Sequence, residues 1–152
     1  MNNYYLVSLQ TTTDGTNIQS ITPKETWETA ISDYHSTLAS NYVSETLKSF
    51  AVDILNSNGN IMQREYDGAS TNVFYVVNIQ ETAEGTPVSI SAYDNKDNAY
   101  SAYHSELASN YASQVLTEFT VFVLNAHGAQ ETNMYEHYVV SPEPEPEPNE
   151  EA

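Results

Sequence analysis

A nine-residue segment rich in side chains that can contact a ligand occurs twice in the chain. Residues 34–42 read YHSTLASNY and residues 103–111 read YHSELASNY, so only the fourth position differs. On a helix, a histidine and a tyrosine seven positions apart lie on nearly the same flank. Imidazole and phenol rings stack on planar groups and form hydrogen bonds. The pattern therefore predicts a surface suited to a planar base or a phosphate-bearing ligand.

The candidate ligand-binding residues come from both copies of this segment. They are Tyr34, His35, Asn41, Tyr42, Tyr103, His104, Asn110 and Tyr111. If the two helices meet near an axis that relates the copies, these side chains line a shared crevice. The alternative is that the tyrosines belong to a core or an interface, while the histidines are helix-flank residues bonded to backbone or water. The sequence alone leaves both possibilities open.

The duplication extends well beyond the nine-residue segment. Matched pairs include Gly15-Thr16 with Gly85-Thr86, Leu55-Asn56 with Leu124-Asn125, and Gly59 with Gly128. A repeat of about seventy residues indicates two copies of one supersecondary unit. We divide the chain into a first unit, residues 1–69, a second unit, residues 70–140, and a tail, residues 141–152. Proline and glutamate alternate in the tail, which predicts a disordered, solvated, extended arm.

Each unit is predicted to be β-α-β-β. In the first unit, Thr22 can cap a helix that has Pro23 at its first position and Glu25 three residues after the cap. In the second unit, Asp94 is the expected cap. The predicted strands and helices are 4–12, 23–46, 50–56 and 61–66 in the first unit, and 73–82, 95–116, 118–125 and 130–138 in the second.

These elements predict an α+β fold built from two half-ferredoxin-like units. The first strand of each unit would then have a free edge, and two free edges can pair into one continuous six-stranded sheet. Both helices would lie on one face, related by a pseudo-twofold axis. Exchange of strands between units is the alternative. The remaining sheet face would be apolar, so we expect a homodimer or a higher homo-oligomer.

The composition excludes several classes of partner. The chain of 152 residues has a formal net charge of −17 and only four lysines and arginines. Four dispersed cations cannot neutralise a run of phosphates, so direct binding to nucleic acid or to an anionic membrane is disfavoured. No basic segment typical of a signal peptide and no long apolar run is present, so we expect no membrane association and a cytoplasmic location.

Catalytic and metal-binding signatures are also missing from the sequence. Cysteine is absent, no GxSxG segment occurs, and no glycine-rich loop suited to phosphate is found. His35 and His104 lack a carboxylate at the fourth following position, which a local metal site would favour. We therefore predict a non-enzymatic protein with no catalytic residue, no metal and no cofactor.

The pattern as a whole resembles a set of small phage and prophage proteins of gut Firmicutes. The resemblance rests on a tyrosine-rich first strand, a DGT turn and a YHSELA-like helix, here at residues 4–7, 14–16, 34–36 and 38–39, with further matches at 10–11, 55–56, 59 and 65–66. It covers most of both units and not the tail. It implies a phage-encoded protein that acts in the host cytoplasm.

This resemblance favours a role against host defence. Our first expectation is a binding protein that sequesters a nucleotide-derived immune signal, of the cyclic nucleotide or ADP-ribose type. An acidic inhibitor that binds a host defence protein is one alternative, because it would use the negative charge. An accessory or structural protein of the virion is the other, because it would use an apolar sheet face.

Overall fold

Eight strands and two helices make up residues 3–140, the part of the chain that the computed structural model describes. In chain order they are β1 (Tyr4–Thr12), β2 (Asn17–Lys24), α1 (Trp27–Val43), β3 (Leu47–Asn56), β4 (Ile61–Asp67), β5 (Phe74–Thr82), β6 (Val88–Tyr93), α2 (Lys96–Ala112), β7 (Leu116–Asn125) and β8 (Gln130–Val139). The α+β class is confirmed. The predicted Pro-Glu tail lies outside the described residues.

Each unit contains a strand that the sequence did not predict. The unit is β-β-α-β-β, because β2 and β6 precede the helices. The predicted helix start at Pro23 is wrong: this proline lies in β2, an edge strand where a missing N–H is tolerated. The observed cap of α1 is Thr26, whose side chain accepts a hydrogen bond from the backbone N–H of Thr29. The cap of α2 is Asn95 and not Asp94.

The strands form two separate four-stranded antiparallel sheets. Their orders are β2-β1-β3-β4 and β6-β5-β7-β8. The predicted six-stranded sheet is wrong, because β2 and β6 occupy the edges that were expected to be free. The half-ferredoxin-like strand order is also wrong, because the strand after each helix pairs directly with the first strand of its unit, and antiparallel to it. Each first strand is therefore central, paired with the hairpin strand on one side and with the strand after the helix on the other.

The two sheets pack face to face, and each helix covers an outer face. On β1, Tyr5, Val7 and Leu9 belong to the core between the sheets, which also contains Tyr75 and Phe122 of the second unit. Alternate residues point the other way, so Leu6 packs beneath α1. The layers are α1, sheet, sheet, α2. The prediction that both helices lie on one face is therefore wrong.

The same packing accounts for the apolar sheet face that motivated an oligomer. Phe122 and Leu124 are buried against the other sheet, while Val76 is buried beneath α2. The face is covered within the chain, so it no longer argues for a partner. The homo-oligomer stays a prediction. Within residues 3–140, neither helix is long and apolar enough to cross a membrane.

Two turn glycines at matched positions each lie close to the opposite unit. A Cβ on Gly59 would lie 2.7 Å from Cγ2 of Thr120 and 2.9 Å from Cε1 of Phe122. A Cβ on Gly128, the matched position, would lie 2.5 Å from Oδ1 of Asp53. Hydrogen bonds reinforce the first of these approaches, since Gln130 Nε2 donates to the carbonyl oxygen of Gly59 at 2.7 Å. The β3–β4 turn therefore packs against β7, and the β7–β8 turn packs against β3.

One carboxyl group is enclosed between the sheets. Asp53 lies on β3 between Ala51 and Leu55 and is 1% exposed. Neither of its carboxylate oxygens has a hydrogen-bond partner within residues 3–140. Burial raises the pKa of this carboxyl well above its usual value, and the nearby charge of Arg64 opposes the shift only in part. Phe122 stands at the matched position of the second unit, where no such penalty arises.

The approach of Gly59 to the opposite sheet can be separated from its backbone conformation. Gly15 and Gly59 have similar positive φ values of 89° and 82°, but only Gly59 has neighbours where a Cβ would be. Both alanine variants should lose about 1–2 kcal/mol from the left-handed conformation. Gly59→Ala should lose about 1–3 kcal/mol more from overpacking. Urea denaturation measures both losses, and equal losses would contradict the sheet-on-sheet packing.

The enclosed carboxyl predicts a pH dependence of stability. Because the folded state holds the Asp53 proton to higher pH than the unfolded chain, the free energy of unfolding should fall as pH rises above about 4. The limiting slope for one group is about 1.4 kcal/mol per pH unit. Asp53→Asn should therefore gain stability relative to wild type between pH 4.5 and pH 8 in urea denaturation. The exposed Asp67→Asn serves as control, and a variant advantage that shrinks with pH would refute this account.

Candidate functional site

The repeated tyrosines that begin the nine-residue segments belong to the cores beneath the helices. Tyr34 is 1% exposed and Tyr103 is 3% exposed. Each ring meets the edge of the following histidine, with centroids 5.2 Å apart for His35 and 5.1 Å apart for His104. Both histidines are exposed on the outer surface. The packing alternative weighed for the tyrosines thus describes their position.

The repeated asparagines tie the end of each helix to its own sheet. Asn41 is buried and accepts a hydrogen bond from Gln10 Nε2 at 2.8 Å. Asn110 accepts the matching bond from Gln80 at 2.8 Å and donates to Asn78 Oδ1 at 3.0 Å. The two asparagines therefore have the same role at both helix ends, although Nδ2 of Asn41 has no hydrogen-bond partner within residues 3–140. Both side chains point toward the sheet.

The tyrosines that end the segments are half exposed and pair with carboxylates. Tyr42 packs edge-on against Phe50 at 4.9 Å, and its hydroxyl donates to Glu65 at 2.8 Å. Tyr111 packs in the same way against Phe119 and donates to Glu136. The bond to Glu136 raises the pKa of Tyr111 to about 12, because the carboxylate stabilises the protonated phenol.

The structure thus brings the predicted site residues together within each unit but not between units. Tyr34, His35 and Tyr42 lie along α1, and their counterparts lie along α2 on the far side of both sheets. The shared crevice between helices is not formed within one chain. Binding of a ligand by these residues stays a prediction, now for two separate helix flanks.

A cavity of about 190 Å³ lies at one end of the space between the sheets, and we call it the inter-sheet cavity. Both units contribute to it. Its lining residues are Tyr5, Ser57, Ile79, Gln80, Glu81, Thr86, Glu118, Phe119 and Thr120. Tyr5 and Ser57 come from the first unit, so the cavity depends on the packing of the two sheets.

Two carboxyl groups face each other in this cavity. Glu81 and Glu118 are direct cross-strand partners on β5 and β7. Like charges in such a pair are destabilising. Burial, a hydrogen bond with Glu81 and the charge of Glu81 raise the pKa of Glu118, while nearby His137 lowers it. Glu118 therefore retains its proton at higher pH than an isolated glutamate would.

A histidine on the neighbouring edge strand, β8, contacts Thr120 and Glu118, two lining residues of the cavity. His137 lies beside Thr120 in the β7–β8 pairing. Its Nδ1 lies 2.7 Å from Thr120 Oγ1, and its Nε2 lies 3.1 Å from Glu118 Oε1. A ring with its proton on Nε2 would donate to Glu118 and accept from Thr120. The histidine is thus held by two lining residues of the cavity.

The connectivity Thr120–His137–Glu118 matches that of a nucleophile, a base and an orienting acid. Thr120 nevertheless lies within β7, which is paired on both sides by β5 and β8. The backbone N–H groups around it belong to the sheet ladders, so they are not free to stabilise an oxyanion. Thr120 is also only 1% exposed. The arrangement suits hydrogen bonding to a ligand better than acyl transfer.

The hydroxyl of Tyr5 completes the polar lining. Tyr5 is 1% exposed overall, yet it borders the cavity. Burial, followed by the charges of Glu81 and Glu118, raises its pKa. No hydrogen bond to this hydroxyl is found within residues 3–140. The cavity therefore presents an unpartnered hydroxyl, which can donate or accept a hydrogen bond, beside two carboxylates.

The matching end of the first unit is closed. Thr11 and Ser49 are the cross-strand pair that corresponds to Glu81 and Glu118. Tyr66 occupies the place of His137 and stacks on His127, with ring centroids 4.1 Å apart. His127 Nε2 lies 3.0 Å from the carbonyl oxygen of Gly68. Aromatic stacking thus fills one end of the sandwich and leaves the other open.

Sequence reasoning missed the residues of the inter-sheet cavity. Glu81, Glu118 and His137 are far apart in sequence, and only strand register brings them together. A signal was present in the internal comparison, because Glu81 and Glu118 replace uncharged residues of the first unit. Within residues 3–140, no group of three or more His, Asp or Glu side chains is placed to hold a metal ion.

No protein-family model, curated protein or solved structure matches the chain. The resemblance to small phage and prophage proteins accordingly stays a prediction.

The tyrosine–carboxylate pair on α2 predicts a measurable titration. Glu136→Gln should lower the pKa of Tyr111 from about 12 toward the ordinary value of about 10, because the amide no longer stabilises the protonated phenol. Ring signals of Tyr111 followed by NMR against pH would report the change. Glu65→Gln, the matched change in the first unit, should leave Tyr111 unaltered. Equal titration in all three proteins would show that the pair does not form in solution.

Proposed function

We propose that the protein is a non-enzymatic binding protein that holds a small molecule in the inter-sheet cavity. The observation that supports this most directly is the unpartnered Tyr5 hydroxyl beside Glu81 and Glu118 in a cavity built by both units. Binding pockets typically combine apolar walls with a few convergent polar groups. Ile79 supplies apolar wall, and the hydroxyls and carboxylates supply the polar groups.

The size and charge of the cavity restrict the ligand. Its volume of about 190 Å³ is below the roughly 300–1,000 Å³ typical of pockets for drug-sized ligands. It contains no lysine or arginine among its lining residues. A ligand with several phosphates would meet carboxylates there without a compensating cation. The inter-sheet cavity therefore favours a small ligand without anionic groups.

The predicted nucleotide-derived immune signal remains a separate proposal. Its stacking surface would be the helix flanks, where His35 and Tyr42 or His104 and Tyr111 are exposed. Two such flanks on opposite faces would bind two ligands per chain, or one ligand between chains in a homo-oligomer. The phage origin also stays a prediction. So do the two alternative functions, an acidic inhibitor of a host defence protein and a component of the virion.

We also infer that a pseudo-twofold relation underlies the packing of the two units. The support is the reciprocal approach of Gly59 to Phe122 and of Gly128 to Asp53, because the partners exchange roles at matched positions. Such a relation would create two equivalent cavities, one at each end. Stacking of Tyr66 on His127 closes one of them, which leaves a single site per chain.

Blocking the cavity from its rim tests the proposed function. Thr86 lines the cavity from the β5–β6 connection, whereas the matched Thr16 of the first unit is exposed. Thr86→Tyr should fill the space and abolish binding, and Thr16→Tyr should not. The panel is a four-carbon diamine, a four-carbon diol, cyclic AMP and ADP-ribose, each titrated by calorimetry into the full chain.

The outcomes of this titration separate the two possible locations. Uptake that Thr86→Tyr removes and Thr16→Tyr preserves would place the ligand in the inter-sheet cavity. Uptake of cyclic AMP or ADP-ribose that persists in Thr86→Tyr but is lost in His35→Ala or His104→Ala would support the helix flanks instead. No uptake of any of the four compounds at micromolar protein would contradict the binding function.

A further inference from the structure

We propose that the inter-sheet cavity selects a small organic cation carrying a primary ammonium group. This inference rests on the proposed function and names the ligand class of the same site. Glu81 and Glu118 supply the negative charge, and Tyr5 and Thr120 supply hydroxyl oxygens at the same cavity wall. An ammonium group has three donors and no acceptor, which matches a lining rich in acceptors.

The first support is the unfavourable pairing of the two carboxylates. Glu81 and Glu118 stand directly opposite each other on adjacent strands, in a partly buried position where repulsion is weakly screened. His137 approaches Glu118 alone, at 3.1 Å. One further positive charge placed between the carboxylates would relieve the repulsion. A bound ammonium group would supply that charge.

The second support is independent of charge. The Tyr5 hydroxyl belongs to a side chain that is 99% enclosed, since it is 1% exposed, and it has no hydrogen-bond partner within residues 3–140. A hydroxyl on an enclosed side chain that borders a cavity and lacks a hydrogen-bond partner indicates a place for a ligand atom.

An organic ammonium group fits this cavity better than a metal ion does. The described residues contain no group of three or more acidic or histidine side chains placed for metal coordination. His137 is held through both ring nitrogens, by Thr120 and Glu118, so neither nitrogen is free to coordinate a metal. The apolar side chain of Ile79 would instead contact the carbon chain of an amine.

The first unit shows which uncharged residues the fold accepts in place of the two glutamates. Replacing Glu81 by threonine and Glu118 by serine gives the second unit the cross-strand pair Thr11 and Ser49 of the first unit. Both residues are buried there without disturbing the sheet. The double variant E81T/E118S should therefore fold, and it removes both negative charges from the cavity. A second double variant, E81Q/E118Q, keeps the shape of the side chains.

The test is calorimetric titration of butane-1,4-diamine, n-butylamine and the uncharged butane-1,4-diol into the full chain at about 0.15 M salt, where weak attraction to exposed carboxylates is screened. We expect one site per chain for the two amines and at least tenfold weaker binding of the diol. Both double variants should lose at least tenfold in affinity for the amines. A variant with the same change in net charge at exposed positions, Glu45→Gln with Asp67→Asn, should bind as wild type does.

The other outcomes contradict the cation inference, or the cation inference together with the binding function. If the diol binds as tightly as the diamine, or if the double variants bind the amines as wild type does, the cation inference is wrong. If the diol alone binds and Thr86→Tyr removes that binding, the cation inference fails while the binding function stands. If none of the three probes binds, and cyclic AMP and ADP-ribose do not bind either, both the cation inference and the binding function are wrong.

Discussion

The contact between the two inner sheet faces is the interaction on which the rest of the structure depends. Neither four-stranded sheet is covered on both sides by its own unit, because each unit has one helix and two faces. The second face of each sheet carries large apolar side chains such as Tyr5, Tyr75 and Phe122. Exposing them would be unfavourable, at about 25 cal/mol for each square ångström of apolar surface. Duplication of the unit within one chain solves this problem, because each copy covers the other.

The same contact creates the candidate site. Side chains at the two ends of the sandwich are not identical, although the backbone arrangement is repeated. At one end, Tyr66 and His127 stack and fill the space. At the other end, His137 contacts Thr120 and Glu118, and the cavity is open between the sheets. The inter-sheet cavity is thus a consequence of divergence between copies within a shared packing scheme, and it requires no change of backbone.

The sequence predicted most of the elements but not their assembly, for identifiable reasons. Hydrophobic periodicity located α1 and α2 because Tyr34, Leu38 and their counterparts recur at helical spacing. The local sequence predicted a helix start where β2 lies, because Thr22 and Pro23 are also typical of the first positions of a helix. Pairing with β1, which the local sequence does not show, makes these residues part of a strand. Alternation along β1 showed that its two faces differ, yet Tyr5 and Leu6 are both apolar, so it could not show which face meets the helix. The cavity was beyond reach because strand register, absent from local patterns, brings its residues together.

The duplicated chain also separates residues that serve the fold from residues that serve a site. Several side chains identical in both copies of the nine-residue segment fill the helix-covered cores or anchor the helix end, as Tyr34 and Asn41 do. Their identity reflects one packing problem solved twice, so repetition alone is weak evidence of ligand contact. Positions where the copies differ within the shared core are more informative, because packing does not require the difference. Glu81 and Glu118 are such positions, and their burial as an opposed pair costs stability that the first unit avoids with Thr11 and Ser49. Retention of that cost beside an unpartnered hydroxyl is the physical argument for a ligand in the inter-sheet cavity.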